Sequence, residues 1–394
     1  MIKIDLTHAQ IDAKDVPATA IKSAHDRIWK NDGTISNAWV ELPYTMTAEA
    51  ARIKSVATHI RKNYDVFLVV GVGGSYLGAF AGIQMFGSDF PIEFLGTSFD
   101  PIPIHNFLKK WQGKRIAVNI VSKSGTTLEI QSVFEIIQKY VSPEHFFITT
   151  DAKKGKLREY VDHTGCQSFV VPDRVGGRYS VLSAVGLLPF AVAGIDIDAV
   201  LRGAKRAHDD IKKQGVKNAA YEYAAARYLL YTQKHRTNEV LASFYECFGV
   251  IGAWWQQLFG ESEGKDGKSL FVDAMVFTRH LHSMGQYIQQ GSPILFETVI
   301  NIINPPADIK LQELSMNEIN RAAFLGTVKA HTNAGVPVVV LNLDDISHQS
   351  FGYLLFFFEI ACACSAYLLG VDPFDQPGVE FYKNEMKALM KKGN

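Results

Sequence analysis

The stretch DVFLVVGVGGSYLGAFAGIQMF, residues 65–86, passes from an apolar strand through a glycine-rich turn into a helix. RIAVNIVSKSGTTLEIQSVFEIIQKY at 115–140 repeats the same order. Continuous apolar strands that alternate with helices are typical of a parallel sheet covered on both faces. The two stretches therefore predict an α/β protein built on mainly parallel sheets.

The pattern continues along the chain and predicts a second unit of the same class. Further strands are expected at 145–151, 167–173, 269–277 and 336–344, and helices at 218–233 and 241–259. A charged helical segment at 195–215 is interpreted as a connector between the halves. The predicted organisation is an irregular N-terminal extension at 1–45, a first domain at 46–195, a second at 196–375 and a C-terminal helix at 376–394.

Composition excludes several classes of protein. The 394 residues carry 40 Lys+Arg and 40 Asp+Glu, and this zero net charge argues against binding to a polyanion such as nucleic acid. The 4 cysteines form no CxxC pair, so neither a zinc ribbon nor a thioredoxin-like site is indicated. Few cysteines and a start without an apolar export signal favour the cytoplasm.

One segment, GYLLFFFEIACACSAYLLG at 352–370, is long enough to span a membrane. However, Glu359 lies near its middle, the residues before it are acidic, and no second span follows. We therefore expect a buried core helix.

Two loops between a strand and a helix carry groups that suit a phosphate. The glycines of GVGGS at 71–75 let the backbone approach a ligand closely, and the helix that follows offers free N–H groups to an anion. The hydroxyls of SKSGTT at 122–127 can donate hydrogen bonds to phosphate oxygens without adding charge. Each loop also has a plainer explanation: a turn used for packing, and a capping box formed by Thr126 and Glu129.

Other polar residues could take part in chemistry, and each again has a plainer explanation. Glu261, in GESEGKDGK after an apolar helix, is either a partly desolvated base or part of a solvated loop. Arg178 in VGGRYS could grip an oxyanion or form a surface ion pair. His280 and His282 fall on different helix faces, which disfavours a shared metal, and Lys383 could belong to a solvated face.

Taken in order, six motifs resemble those of the glucose-6-phosphate isomerase family in its shorter bacterial form. They are GVGGS, SKSGTT, VGGRYSVLSAVGLLP, ESEGKDGK, HSMGQYIQQG and FDQPGVEFYK. The resemblance covers about residues 70–383. It implies two sugar-isomerase (SIS) domains, each a mainly parallel sheet flanked by helices. It also implies reversible isomerisation of glucose 6-phosphate to fructose 6-phosphate with no cofactor and no metal, and a homodimer in which a histidine reaches the site of the partner subunit.

The resemblance also implies individual roles. Glu261 would be the base that moves a proton between C2 and C1, and Arg178 would lie beside the developing enediolate. His282 would open the sugar ring, Lys383 would lie near the ring oxygen, and Glu129 would orient the histidine. The positions implied to contact phosphate or substrate are Gly74, Ser75, Ser122, Lys123, Ser124, Thr127, Gln257 and Gln376.

The chain departs from the family in being shorter than most relatives and in having Leu128 where polar residues are common. Two other functions remain open. A sensor could bind sugar phosphate without turnover, although it would need neither Glu261 nor His282. A nicotinamide dehydrogenase is suggested by VVGVGGS, but the GxGxxG spacing fails because position 76 is Tyr.

Overall fold

The computed structural model describes residues 1–30 and 33–392 of the chain. Within these residues the strands are β1 (Ile2–Asp5), β2 (Val66–Val70), β3 (Ile92–Leu95), β4 (Ile116–Val121), β5 (Phe146–Thr150), β6 (Gln167–Val170), β7 (Asn238–Ser243), β8 (Phe271–Val276), β9 (Leu295–Ile302) and β10 (Val338–Leu343). The helices are α1 (Ala18–Ile28), α2 (Leu42–Asn63), α3 (Leu77–Phe86), α4 (Pro101–Lys110), α5 (Leu128–Ile137), α6 (Lys156–Thr164), α7 (Ala184–Ala193), α8 (Ile197–Gln214), α9 (Ala219–Thr232), α10 (Gly249–Glu263), α11 (Leu281–Gln290), α12 (Met316–Asn333), α13 (His348–Leu369) and α14 (Val379–Lys392).

The strands form two five-stranded sheets. The first has the order β3-β2-β4-β5-β6 and is parallel throughout. The second has the order β1-β10-β9-β7-β8, in which β1 runs antiparallel to β10 and the other described pairs are parallel. The predicted fold class, with two mainly parallel sheets flanked by helices, is confirmed.

The two faces of each sheet pack into different cores, because successive side chains of a strand point to opposite faces. In β2, Phe67 and Val69 join a central cluster, whereas Leu68 and Val70 join an outer cluster with residues of α4, α5 and α6. The central cluster also includes Phe296 of β9 and most of α13, so it extends from one sheet to the other. The two halves of the chain therefore share one core.

Helix α13 lies within this central core. It is long and apolar enough to cross a membrane, but 83% of its most apolar window is buried inside the protein. The prediction of a buried core helix is confirmed. Glu359 on this helix is fully buried and its carboxyl oxygens have no hydrogen-bond partner among the described residues. Burial raises the pKa of Glu359 well above its ordinary value, which favours the neutral acid.

Residues 1–45 were predicted to be an irregular extension, and this is wrong because the segment contains regular secondary structure. Strand β1 completes the second sheet, and α1 packs against α13. Trp39 is fully buried and stacks on Tyr179 with ring centroids 4.7 Å apart. The pairing of β1 joins segments more than 330 residues apart, and a local sequence pattern does not reveal such a partner. The domain boundaries themselves stay a prediction.

The segment at 195–215 is helical, as predicted, and α8 buries one face against α13. One further expectation is wrong in detail. The helix expected at 241–259 begins only at Gly249, because β7 continues to Ser243. A continuous apolar run cannot by itself distinguish a buried strand from a buried helix.

Helices α8 and α13 approach so closely that glycine is needed at the contact. A Cβ atom on Gly203 would lie 1.8 Å from the carbonyl oxygen of Gln349. In the same way, a Cβ atom on Gly352 would lie 1.9 Å from the carbonyl oxygen of Val200. Backbone atoms cannot move aside as a flexible side chain can, so the two glycines set the distance between these helices.

We predict that Gly203→Ala lowers the free energy of unfolding by about 1–3 kcal/mol, because the methyl group forces the helices apart. Gly326→Ala in α12 is the matched control: a Cβ atom there meets nothing within 4 Å. That control should be neutral or stabilising by about 0.5–1 kcal/mol, since alanine favours helix more than glycine does. Urea denaturation of both variants measures the difference, and equal stability would contradict the close contact.

Candidate active site

The two loops predicted to hold a phosphate lie side by side. They follow β2 and β4, which are adjacent parallel strands, so both begin at the same edge of the first sheet. In the sheet, β3 lies on one side of β2 and β4 lies on the other, so the strand order reverses between β2 and β4. Ligands of open α/β sheets bind at such a reversal. The two loops therefore occupy neighbouring strand ends.

The first loop also touches the segment that carries Arg178. A Cβ atom on Gly74 would lie 2.2 Å from the carbonyl carbon of Gly177 and 2.7 Å from the amide nitrogen of Arg178. Only glycine permits this contact between backbones. The neighbouring Ser75 is half-buried at the end of the same turn.

The second loop is held by its own hydroxyls. Buried Ser122 accepts a hydrogen bond from the amide of Gly125 at 3.1 Å, and Thr126 donates to Ser124 Oγ at 3.0 Å. Lys123 donates to the carbonyl of Val175 at 3.3 Å, which joins this loop to the approach to Arg178. The second loop is thus tied to the segment that the first loop contacts.

The capping box predicted for Thr126 and Glu129 is not formed. Helix α5 begins at Leu128 with Thr127 as its N-cap, and the side chain of Thr127 makes no cap hydrogen bond. Within the described residues the Glu129 carboxylate accepts no hydrogen bond. The hydroxyl of Thr127 and the carboxylate of Glu129 are therefore not engaged in closing the helix.

The centre of the site is the guanidinium of Arg178, which is only 3% exposed. Its Nε donates to Ser262 Oγ at 2.7 Å, and its Nη2 donates to the carbonyls of Pro373 at 2.5 Å and Asp375 at 2.9 Å. Its Nη1 donates to Gln376 Oε1 at 2.9 Å and reaches Glu261 Oε2 at 3.4 Å. All the N–H donors of the guanidinium are thus occupied.

Glu261 lies in the last turn of α10, not in a loop as its surrounding charges suggested. Its carboxylate is half-buried and accepts a hydrogen bond from Gln257 Nε2 at 3.3 Å, one helical turn earlier. Gln257 in turn lies against the first phosphate loop, since a Cβ atom on Gly73 would be 2.7 Å from Gln257 Nε2. A short chain of contacts therefore connects Glu261 to the phosphate loops.

The C-terminal segment closes one side of the site. Lys265 forms an ion pair with Asp375 at 2.6 Å, beside the bonds from Arg178 to the same segment. In α14, Lys383 donates to Glu380 at 2.8 Å, and this bond raises the pKa of Lys383 above its usual value. Glu129 contributes to the same rise, so Lys383 lies within electrostatic reach of Glu129.

His282 is not brought to the other predicted residues within one chain. It lies in the first turn of α11, which follows β8 at the edge of the second sheet, and it is exposed. Its imidazole makes no hydrogen bond or ion pair with any other part of the chain that the structure describes. The predicted pair of His282 and Glu129 is therefore not formed in the single chain.

Sequence reasoning missed the residues that hold Arg178 and Glu261 in place. Ser262 accepts from Arg178 and also lies 3.1 Å from the hydroxyl of buried Tyr179. The carbonyls of Pro373 and Asp375 belong to the backbone, for which a residue pattern gives no signal. The position of Ser262 directly after Glu261 was visible in the sequence.

A cavity of about 940 Å³ lies away from this site, at the carboxyl end of the second sheet. Residues that follow β7 and β9 line it together with α12, among them Phe244, Ile303, Leu311 and Phe324. None of the predicted site residues takes part in its wall.

Comparison with known proteins gives consistent results over nearly the whole chain. The family model for phosphoglucose isomerase matches residues 10–334. A glucose-6-phosphate isomerase of Staphylococcus epidermidis is 40% identical over 430 aligned residues, with 98% of this chain and 97% of that protein covered. A glucose-6-phosphate isomerase of Clostridium tetani is 41% identical over 432, with 99% and 96% covered.

Solved structures show the same fold. A hypothetical protein from Thermus thermophilus superposes with a TM-score of 0.90 at 25% identity, covering 99% of this chain and 100% of that one. A glucose-6-phosphate isomerase of Chlamydia trachomatis superposes with a TM-score of 0.80 at 24% identity, covering 94% and 78%. Since the family model and the relatives each span most of the sequence, the chain belongs to the phosphoglucose isomerase family.

Proposed function

We propose that the protein is an aldose–ketose isomerase that interconverts glucose 6-phosphate and fructose 6-phosphate. The observation that carries the proposal is the continuous set of contacts from the phosphate loops through Gln257 to Glu261 and Arg178. A sugar phosphate held by its phosphoryl group at these loops has its other end directed toward a carboxylate. The names of the relatives point to the same reaction.

The phosphoryl group binds between the two loops of the first sheet. Ser75, Ser122, Ser124 and Thr127 supply hydroxyls, and Gly74 lets the backbone approach the ligand. Lys123 supplies positive charge; its ammonium group donates to the carbonyl of Val175 at 3.3 Å and lies 3.9 Å from the exposed carboxylate of Asp173. Charge-assisted bonds of this type are stronger than neutral ones, so the phosphate supplies much of the binding energy.

Ring opening comes first, because glucose 6-phosphate is mainly a closed ring. The ring oxygen must gain a proton while the anomeric hydroxyl loses one. His282, oriented by Glu129, exchanges the proton, since histidine titrates near neutral pH. Lys383 lies near the ring oxygen and donates a hydrogen bond to it, and Gln376 contacts the open chain.

Glu261 then moves one proton between neighbouring carbons. Its carboxylate removes the proton from C2 of the open aldose, which leaves a cis-enediolate whose negative charge is shared by two oxygens. The resulting carboxylic acid returns the proton to C1 while the hydroxyl proton on O2 passes to O1, so the oxygen on C2 becomes a carbonyl and the ketose is complete. Acid–base catalysis of this kind is worth about 10²–10⁴-fold.

Arg178 offsets the charge of the enediolate, and its hydrogen bonds explain how. In the free site its Nη1 already donates toward Glu261 at 3.4 Å. When Glu261 takes up the proton it becomes neutral and a weaker acceptor, while an enediolate oxygen becomes an anion. The N–H group is then available to the oxygen at the moment when charge develops there.

The active form is a homodimer in which His282 acts on the partner's site. In the single chain His282 is exposed and without a partner among the described residues, and no contact joins it to Glu129. An apolar surface lies nearby on α12, which contacts α11, and on the segment before it. Its exposed residues are Ile303, Ile309, Leu311, Leu314, Met316, Ile319 and Leu325. Exposed apolar surfaces of this kind mark protein interfaces.

We further propose that residues 46–195 and 196–375 form the two SIS-type domains, with the C-terminal helix at 376–394. The reaction is a cytoplasmic step of glycolysis and gluconeogenesis, in keeping with a substrate that carries a permanently charged phosphate.

Glu261→Gln should lower kcat by about 10²–10⁴-fold, because the amide cannot accept the proton from C2. KM should change little, since the phosphate loops are untouched. A coupled assay for glucose 6-phosphate formation from fructose 6-phosphate measures both values. Glu135→Gln, an exposed position on α5, is the matched control and should retain full activity. Normal turnover by Glu261→Gln would remove the residue from the mechanism.

Mixing two inactive variants tests whether His282 acts across the dimer. We expect His282→Ala and Glu261→Gln each to be nearly inactive, whereas a co-expressed mixture should regain about a quarter of normal activity. Half the dimers are then mixed, and each mixed dimer has one complete site. As a control, His282→Ala co-expressed with the double variant should stay inactive, because neither chain supplies the histidine. Failure of the first mixture to regain activity would place His282 outside the partner's site.

A further inference from the structure

A buried ion-pair network lies directly behind the turn that carries Glu261. Its centre is Arg227 of α9, which is 1% exposed, and its carboxylates are Glu239 of β7 and Glu263, the last residue of α10, both fully buried. Arg227 Nε donates to Glu239 Oε2 at 2.6 Å, and Arg227 Nη1 donates to Glu263 Oε1. No side chain of this network belongs to the set predicted to contact substrate.

The network reaches the central helix as well. Arg227 Nη1 also donates to Ser365 Oγ of α13 at 2.7 Å, and its guanidinium lies 4.1 Å from the ring centroid of Phe259 on α10. Arg227 therefore contacts α10 at two points one turn apart and connects that helix to the core. Ser269 donates to the second oxygen of Glu263 at 3.2 Å, so that carboxylate is held at both oxygens.

The last turn of α10 needs external support. It contains Gly260 and is followed by Gly264, and glycine favours helix less than other residues except proline. It also carries two carboxylates, Glu261 and Glu263, at the end of a helix where the backbone dipole is negative. A Cβ atom on Gly260 would meet no atom closer than 3.8 Å, so packing does not require that glycine.

Two arginines hold this turn from opposite sides. Consecutive helical residues point about 100° apart, so Glu261, Ser262 and Glu263 face different surroundings. Arg178 binds the turn through Ser262 and Glu261 on the side of the site. Arg227 binds it through Glu263 on the side of the core.

The charge of the network is uneven, because one guanidinium faces two carboxylates. Burial alone would lower the pKa of Arg227, but Glu239 and Glu263 outweigh this effect and raise it, so the arginine stays charged. Either carboxylate could be neutralised and still leave a one-to-one pair. The two glutamates differ in what they hold: Glu239 accepts hydrogen bonds from Tyr223 and Thr298, whereas Glu263 is itself part of α10, the helix that carries Glu261.

We propose that Arg227 is a positioning residue for the isomerase reaction, and that it acts through Glu263 to fix the last turn of α10 and thereby the direction of the Glu261 carboxylate. This inference rests on the proposed function. A displacement of a base by about 1 Å can lower the reaction rate by up to 10²-fold, so a buried contact that fixes the position of the base affects kcat. The phosphate loops lie on the first sheet, and the contact does not touch them.

The test compares two variants that remove the same charge from the same network. Glu263→Gln replaces the ion pair between Arg227 and α10 by a weaker, neutral hydrogen bond, and the amide can still bond to Arg227 and Ser269. We expect kcat to fall about fivefold to tenfold while KM changes less than about twofold. Glu239→Gln removes an equal charge on the side away from α10, and we expect its kcat to stay within about twofold of normal. The melting temperatures of the two variants should agree within about 3 °C.

A purely structural role would move both variants together. Equal kcat values for Glu263→Gln and Glu239→Gln would therefore overturn the proposal. If Glu263→Gln does not fold, Glu263→Asp replaces it: the charge remains, but the shorter side chain reaches Arg227 only by displacing the turn, so kcat should again fall more than KM rises. An unchanged kcat for that variant would equally overturn the proposal.

The assay separates this inference from the proposed function. If the unmodified protein interconverts the two sugar phosphates and Glu261→Gln does not, the function stands, and the comparison of Glu263 with Glu239 decides the inference alone. If the unmodified protein lacks activity, the proposed function fails before the comparison is made, and the inference is overturned with it.

Discussion

The buried charge of Arg178 is the constraint on which the site depends. A guanidinium in the interior is stable only where acceptors satisfy its donors, and these acceptors come from the end of α10 and from residues 373–376. The segment of Arg178 itself contacts the loop at Gly74, which belongs to the first sheet. One charge thus draws together three segments that are far apart in the chain, and the geometry around Glu261 follows from satisfying it.

The fold class could be predicted from the sequence because strand and helix alternate with clear local patterns. The edge of the sheet at which the two loops lie could be predicted with it, since parallel strands such as β2 and β4 have their carboxyl ends at the same edge. Nonlocal features could not be predicted. The pairing of β1 with β10 and the burial of α8 against α13 depend on partners far along the chain, and the apolar run at 241–259 was compatible with strand and helix alike.

The candidate site was predictable only in part, for a related reason. Side chains such as Ser122, Arg178 and Glu261 lie in motifs that the sequence displays, and resemblance to a family supplied their roles. What holds them in place is invisible in such motifs: the carbonyls of Pro373 and Asp375 are backbone groups, and Arg227 meets Glu263 only in three dimensions. The capping box at Thr126 failed because the hydroxyl bonds to Ser124 instead.

The antiparallel edge strand has a consequence for how the protein is made. Residues 2–5 pair with Leu343 to Val340, and the amino group of Met1 forms an ion pair with Asp344 at 2.7 Å. Translation runs from the amino to the carboxyl end, so β1 leaves the ribosome more than 330 residues before its partner β10. The hydrogen-bonding edge of β1 therefore stays unpaired while all the residues between the two strands are synthesised. Strand β1 can pair only after β10 has been made, so an early segment of the chain is among the last to reach its native position.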